Sequence, residues 1–209
     1  MPHRNMHRAM NSTKRAALAA LFCLAALPAP SEAQTVPVFQ IPPEGSAIKF
    51  SVSSSVPVSG KFDKWTASLV FASADPTTGV LDIQIQAASV DTGSGLKDRK
   101  LKSDDFFDAD KNPLIKFHST KIVQTAPNTA DVEGDFTLRG VTKPEKLSLV
   151  ISGAGTGAGT VTGTMAFNRK DYGVNGDIPF VRIADRVEVS VDLKVKRVSG
   201  PALTLTLKN

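Results

Sequence analysis

Cysteine, histidine, tryptophan and tyrosine are scarce in this chain. Its 209 residues include one Cys, three His, one Trp and one Tyr. Cys23, His3 and His7 all lie near the N-terminus, so the rest of the chain has only His118. A thiol nucleophile, a zinc site with several His ligands and a Cys cage for an iron–sulfur cluster are therefore excluded from the part of the chain that follows.

A Ser-His-Asp catalytic arrangement would depend on His118. In that part of the sequence Ile115 and Phe117 alternate with Lys116 and His118, so His118 shares its predicted face with a charged side chain. This pattern is typical of an exposed histidine on a strand. We therefore expect no catalytic residue, no metal ion and no cofactor.

Residues 1–33 have the features of a secretory signal peptide. Four Lys or Arg residues precede the apolar run Ala16–Leu27, and Ser31-Glu32-Ala33 places small residues at positions −3 and −1 of a cleavage site. The apolar run is shorter than the ~20 residues that span a bilayer, which argues against the alternative of an N-terminal anchor. We predict a periplasmic protein without stable membrane insertion.

The formal net charge of +5 belongs mostly to this segment. It holds four of the 25 Lys and Arg residues and one of the 20 Asp and Glu residues, which leaves 21 basic against 19 acidic residues. A nearly neutral chain with a single Trp and a single Tyr lacks the basic, aromatic stripe of a nucleic-acid surface. Nucleic acid is therefore not expected as a partner.

From Ala47 onward, apolar side chains recur at every second position. Eight such segments can be counted, each with one apolar and one polar face, which is typical of antiparallel strands with one buried face. Turn signals such as Asp75–Gly79 separate them. Eight such strands can pack as a two-sheet sandwich or close into a barrel without exposed edges. Either arrangement has an apolar interior.

The segment Leu96–Ser103 breaks the alternation. We expect a short helix across an opening of the barrel, with Leu96 and Leu101 on one side. Its cations could attract a phosphate head group by charge and hydrogen bonding, or form an ordinary solvated helix face; they are Lys97, Arg99, Lys100 and Lys102.

Two further motifs are interpreted as turns. Gly153–Ala158 matches a dinucleotide-binding glycine pattern, but a strand pattern follows where that motif requires a helix N-terminus. The aspartates between Asp104 and Asp110 lack the Gly and the terminal Glu of an EF-hand calcium loop. We expect a flexible hairpin turn at the first and turn caps at the second.

Five motifs, in sequence order, resemble the YceI family of lipid-binding periplasmic proteins: Ser89–Gly93, Lys97–Asp108, Pro113–Ser119, Thr137–Pro144 and Asn168–Gly173. The resemblance implies an eight-stranded, lipocalin-like antiparallel barrel with a short helix at its mouth. It also implies a long apolar tunnel for a polyisoprenoid, such as a polyprenyl quinone or polyprenyl phosphate. Family members often carry histidines near the first strand and in the lid segment, which corresponds to Leu96–Ser103 here. At those places this chain has Ser53, Ser54 and Lys100.

The expected organisation is a signal peptide over residues 1–33, a Pro-rich lead-in over 34–44, a barrel domain over 45–197 and a C-terminal extension over 198–209. The extension could add a ninth strand or contribute to a homodimer contact. The favoured function is a non-enzymatic carrier or sequestering protein for an isoprenoid-type lipid. Two alternatives remain: a structural or interaction barrel with a packed interior, and an enzyme with Asp91 or Asp108 as a base.

The candidate ligand-binding residues form two groups. Those expected at the rim, near a lipid head group, are Asp91, Arg99, Arg139 and Arg169. Those expected to line the tunnel are Ile48, Phe50, Trp65, Leu69, Ile83, Ile85, Phe117, Phe136, Leu149, Met165, Phe167, Val189 and Val191.

Overall fold

The computed structural model describes residues 36–56, 58–153, 155–177 and 180–203. The predicted signal peptide and the last six residues lie outside these ranges. Within them the chain forms eleven strands and one α-helix. They are β1 (Val38–Gln40), β2 (Ala47–Ser54), β3 (Val58–Phe62), β4 (Trp65–Phe71), β5 (Gly79–Gln86), β6 (Val90–Asp91), α1 (Gly95–Lys102), β7 (Leu114–Ala126), β8 (Thr129–Leu138), β9 (Val141–Ser152), β10 (Ala158–Asn168) and β11 (Ile183–Ser199).

The strands close into an antiparallel barrel with eight strand positions. Three positions are each shared by two short strands. β1 and β2 both pair with β11, β3 continues into β4 through a bend, and β5 continues into β6. The ring closes through β11, β1 and β4 at one end and through β11, β2 and β3 at the other. The barrel prediction is confirmed, and the sandwich is not formed.

The period-2 pattern places the core. Along β11 the valines from Val187 to Val195 and Leu193 face inward and are mostly buried, whereas Glu188, Asp192 and Lys194 between them are exposed. Closure therefore collects the apolar face of every strand position into one interior, while the polar faces form the outer wall.

Regular structure begins earlier than the alternation predicts. β1 lies inside the Pro-rich lead-in, because Pro37 and Pro42 flank Val38–Gln40 and leave the amides of that strand free to pair with β11 and β4. The last strand also extends to Ser199, two residues into the predicted C-terminal extension.

The helix is confirmed, and both of its leucines border the apolar interior beneath it. Leu101 is buried, whereas Leu96 is 72% exposed. Five residues advance a helix by about 140°, so Leu96 reaches this interior from the edge of the helix and stays largely open to solvent. Asp98 anchors the helix, because its Oδ1 accepts hydrogen bonds from the backbone N–H of Thr92 at 2.8 Å and from its hydroxyl at 2.6 Å.

Candidate ligand-binding site

The barrel encloses two apolar cavities on one axis. The larger one has a volume of about 480 Å³ and lies beneath α1, where Leu101, Phe106 and Phe107 contribute to its lining. The smaller one has a volume of about 130 Å³ and lies at the other end, next to the glycine-rich turn between β9 and β10. Ligand pockets usually measure about 300–1,000 Å³, so only the larger cavity has the usual size.

The tunnel candidates divide into three sets. Six line the larger cavity: Ile48, Phe50, Ile85, Phe136, Phe167 and Val189. Two line the smaller cavity: Leu69 and Leu149. The remaining five are buried between the cavities and belong to the lining of neither within the described part of the chain: Trp65, Ile83, Phe117, Met165 and Val191.

These five side chains form a waist layer across the barrel. On β5, Leu81 lines the smaller cavity and Ile85 the larger one, with Ile83 between them. The same order recurs on β11, where Val191 separates Val189 from Leu193. It recurs on β10, where Met165 lies between Phe167 of the larger cavity and Val161 of the smaller one, and the register pairs Ile83 with Phe117.

The Phe117 ring lies across Gly134 of the adjacent strand. A methyl group at Gly134 would stand 2.7 Å from Cζ of Phe117 and 2.6 Å from the carbonyl oxygen of His118. Only glycine therefore allows the ring to lie this close to β8. In the waist layer a large side chain therefore packs directly against the backbone of a glycine. This dense packing separates the larger cavity from the smaller one.

One wall of the larger cavity is an aromatic cluster. The ring centroids of Phe136 and Phe167 are 4.9 Å apart, and both rings meet Tyr172 edge-on at 5.3 and 5.2 Å. The Tyr172 hydroxyl donates to Oε1 of Glu145 at 2.7 Å, and burial, together with this carboxylate, raises the pKa of Tyr172 above its usual value. Tyr172 therefore stays neutral, and its hydrogen bond to Glu145 holds its ring against Phe136 and Phe167.

Two lysines of α1 line the mouth of the larger cavity. They are Lys97 and Lys100, both partly buried. The Lys100 Nζ atom lies 2.5 Å from Oδ2 of Asp105 and 5.5 Å from the centroid of the Phe106 ring. The mouth therefore combines positive charge with an apolar interior.

Arg169 borders the same cavity but is engaged with the backbone. Its side chain is 5% exposed, and it donates to the carbonyl oxygens of Ala184 at 3.2 Å, Val174 at 2.9 Å and Gly176 at 3.0 Å. Its Nη2 atom lies 3.4 Å from Oδ1 of Asp185. The guanidinium thus fastens the segment between β10 and β11 to the barrel.

The other rim candidates lie apart from the cavity lining in the described structure. Arg139 has a left-handed backbone (φ 52°), and its Nη1 donates to the carbonyl oxygens of Asp104 and Phe106. Asp91 accepts a hydrogen bond from the Gly93 N–H at 2.8 Å and lies 3.4 Å from Nζ of Lys61; both interactions lower its pKa. Arg99 lies on the exposed face of α1.

The smaller cavity has a different rim. Gly155 and Gly157, both with positive φ, border it together with Arg197. The Arg197 Nη1 atom donates to the carbonyl oxygen of Gly200 at 2.7 Å. This end therefore presents a turn with little side-chain bulk, and the interpretation of the glycine run as a hairpin turn is confirmed.

Outside the cavities, His118 lies on the outer wall with its Nδ1 2.6 Å from Oδ1 of Asp82. Asp108 has a left-handed backbone (φ 47°), and its carbonyl oxygen accepts from the Lys111 and Asn112 amides, as in a turn. Among the described residues, no three His, Cys, Asp or Glu side chains are grouped to hold a metal ion. The same described residues include no helix that is long and apolar enough to cross a membrane.

Sequence reasoning missed part of the larger cavity. Val58 and Phe62 of β3 line it, but Gly60 between them interrupts the apolar alternation by which a strand is recognised. Phe106 and Phe107 also line it, and their adjacency to the lid segment was a usable signal. Lys97 and Lys100 belong to the cationic cluster of α1, but the sequence alone does not distinguish them from Arg99, which the structure places on the exposed face.

Comparisons with known proteins agree with this architecture. A model of the YceI-like domain family matches residues 39–195. The UPF0312 protein of Pseudomonas savastanoi pv. phaseolicola is 34% identical over 134 residues, which cover 61% of this chain and 69% of the relative.

Two solved structures share the fold. Burkholderia cenocepacia BcnA superimposes with a TM-score of 0.67 at 24% identity, covering 74% of this chain and 99% of BcnA. A polyisoprenoid binding domain from Saccharophagus degradans, implicated in plant cell wall breakdown, superimposes with a TM-score of 0.58 at 16% identity, covering 77% of this chain and 99% of that domain.

Proposed function

This chain belongs to the family of YceI-like domains, and from that premise we propose that it carries or sequesters an isoprenoid-type lipid. The lipid tail occupies the larger cavity, and its head group stays at the mouth beneath α1. A polyprenyl phosphate or a polyprenyl quinone is the proposed class. The predicted signal peptide leads us to place this activity in the periplasm.

The observation that carries the proposal is the larger cavity itself. Its volume of about 480 Å³ and its lining of aliphatic and aromatic side chains suit a branched hydrocarbon tail. Each buried methylene contributes about 0.8 kcal/mol, so such a tail can bind tightly without polar chemistry. The Saccharophagus domain, described as polyisoprenoid binding, shares the barrel and adds support.

The mouth suits an anionic or strongly polar head group. Lys97 and Lys100 bring two ammonium groups to the point where a tail would enter. An ammonium group binds phosphate as a point charge and does not require a fixed geometry. Arg169, by contrast, donates its hydrogen bonds to backbone carbonyl oxygens, so it stabilises the rim without contacting a head group.

A binding protein fits the site better than an enzyme. A general base works best with a pKa near the working pH, whereas the Gly93 amide and Lys61 lower the pKa of Asp91. The alternative of a barrel with a packed interior is disfavoured by the size of the larger cavity, because interiors without a ligand rarely keep voids of this volume.

Organic extraction and mass spectrometry of the protein purified from its own periplasm test the proposal. The expected result is a reproducible isoprenoid lipid in near-stoichiometric amount, absent after solvent extraction and refolding. Protein that is repeatedly empty, and that binds no prenyl alcohol or prenyl phosphate after refolding, would refute it.

A further inference from the structure

The waist layer divides the interior at a defined depth. Its five side chains are each less than 8% exposed, and together they separate the two cavities: Trp65, Ile83, Phe117, Met165 and Val191. A lipid tail that enters beneath α1 meets this layer before it reaches the smaller cavity. Resting on the proposed function, we infer that the waist layer limits the tail length and selects short-chain isoprenoid lipids.

The available depth follows from the strand geometry. On the more regular strand β2 the lining of the larger cavity begins at Ile48, and the strand ends at Ser54 near the mouth. Six residue steps at about 3.3 Å cover about 20 Å of strand. A strand tilt of about 40° reduces this to about 15 Å along the barrel axis. The inner end of the larger cavity lies at Val191, which pairs with Ile48.

The tail that fits this depth is about three isoprene units long. A residue with three backbone bonds spans at most about 3.6 Å, so an extended chain advances about 1.2 Å per bond. An isoprene unit contributes four bonds, and three units therefore fill about 15 Å by the same measure. A farnesyl tail reaches the waist layer, a fourth unit remains at the mouth, and a longer tail must displace the layer.

Two side chains of the waist layer differ in mobility: Met165 is flexible, whereas the Phe117 ring is held in place. Met165 is flexible and unbranched, and its replacement by a smaller residue leaves a passage next to Gly163, which pairs with Val191 of β11. Phe117 is held against Gly134 and fills the opposite side. Removing either side chain should connect the two cavities.

The test uses lipid-free, refolded full-length mature protein and the prenyl alcohols geraniol, farnesol, geranylgeraniol and solanesol. Binding is followed through the single tryptophan, Trp65, which lies in the waist layer, and by native mass spectrometry. In the unmodified protein we expect Kd to fall at least about tenfold from geraniol to farnesol and to change less than about threefold from farnesol to geranylgeraniol and solanesol.

In Met165→Ala the Kd should again depend on the length of the prenyl tail beyond three isoprene units. Kd for geranylgeraniol should fall at least about tenfold below that for farnesol, because the fourth isoprene unit now enters the second cavity. Phe117→Leu is the second opening variant and should act in the same direction. Leu81→Ala is the matched control, since it enlarges the smaller cavity but leaves the waist layer intact.

The outcomes separate this inference from the proposed function. If the unmodified protein binds geranylgeraniol or solanesol at least tenfold more tightly than farnesol, the waist layer does not limit the tail. The same holds if folded Met165→Ala and Phe117→Leu keep the plateau, or if Leu81→Ala removes it. If the unmodified protein binds none of the alcohols, the carrier function itself fails.

Discussion

The two cavities of this barrel are built from the same alternating strands but differ in three ways. The larger one is lined by many aromatic rings, is covered by α1 and has lysines at its mouth. The smaller one is mostly aliphatic and has a glycine-rich rim. Its volume is near that of an apolar engineered cavity of about 150 Å³ that binds benzene, so it cannot hold a long tail.

This difference shows how a barrel can confine ligand selection to one end. The strand pattern supplies an apolar interior everywhere, whereas the segments outside the strands decide what enters. At one end these segments are α1, the Phe106–Phe107 pair and the segment held by Arg169; at the other it is the glycine-rich turn between β9 and β10. We expect substitutions at equivalent places in the two ends to have unequal effects.

The largest expected effect concerns the two arginines at the rims. Arg169→Met should lower the free energy of unfolding by about 3–5 kcal/mol, because three carbonyl oxygens lose a buried donor and each such loss costs about 1–3 kcal/mol. Arg197→Met should cost about 1 kcal/mol, since the structure gives its side chain one carbonyl partner, Gly200. Urea unfolding followed by circular dichroism measures both, and equal losses would contradict the unequal roles of the two rims.

The next effect concerns the cavities themselves. Ile85→Trp places an indole in the larger cavity and should weaken the binding of farnesol about 100-fold, or ~2.7 kcal/mol. Leu69→Trp fills the smaller cavity and should change that Kd less than about threefold, by the same conversion.

Both Trp variants should fold, because each indole enters existing space. Titration of refolded protein and a thermal melt report binding and stability separately. Equal loss of binding would mean that the ligand uses both cavities. Unfolding of both variants would instead favour a packed interior.

The barrel and its inward faces were predictable from the sequence, but the waist layer was not. A period of two assigns each side chain to the inside or the outside and says nothing about its depth along the barrel. Leu81, Ile83 and Ile85 look equivalent in sequence, and only the closed barrel shows that Leu81 lines the smaller cavity, Ile85 the larger one and Ile83 neither.

The rim was predicted less well for a related reason. Arg169 looks like a head-group cation in sequence, but the turn Arg169–Tyr172 carries it inward to the carbonyls of the following segment. Conversely, Lys97 and Lys100 are indistinguishable from Arg99 by composition. The rotation of α1 about its own axis, as it packs on the barrel, determines which of these side chains reach the cavity.

A smaller effect is expected for the charges at the mouth. Changing Lys97 and Lys100 together to Gln should weaken the binding of farnesyl phosphate about three- to tenfold at low salt and flatten its salt dependence. Binding of farnesol should not change. The control is Arg197→Gln at the other rim, which should leave both ligands unaffected. Weaker farnesol binding in the double variant would mean that the lysines support the fold of the mouth and do not contact a head group.

The smallest effect concerns acid stability at the end of the smaller cavity. The Ser148 hydroxyl, at 2.8 Å, and Lys146 lower the pKa of Asp131, so its carboxylate favours the folded state. This contribution is complete above the unfolded pKa of about 3.9 and is lost as the pH falls through the lower folded value. Asp131→Asn should therefore cost a few tenths of a kcal/mol at neutral pH and reduce the loss of stability below about pH 4. Thermal melts between pH 7 and pH 2.5 measure this. Ligand binding at neutral pH should be unchanged, because Asp131 lies on the outer wall between Ala130 and Val132 of the smaller cavity; a change in farnesol affinity would show that the two ends are coupled.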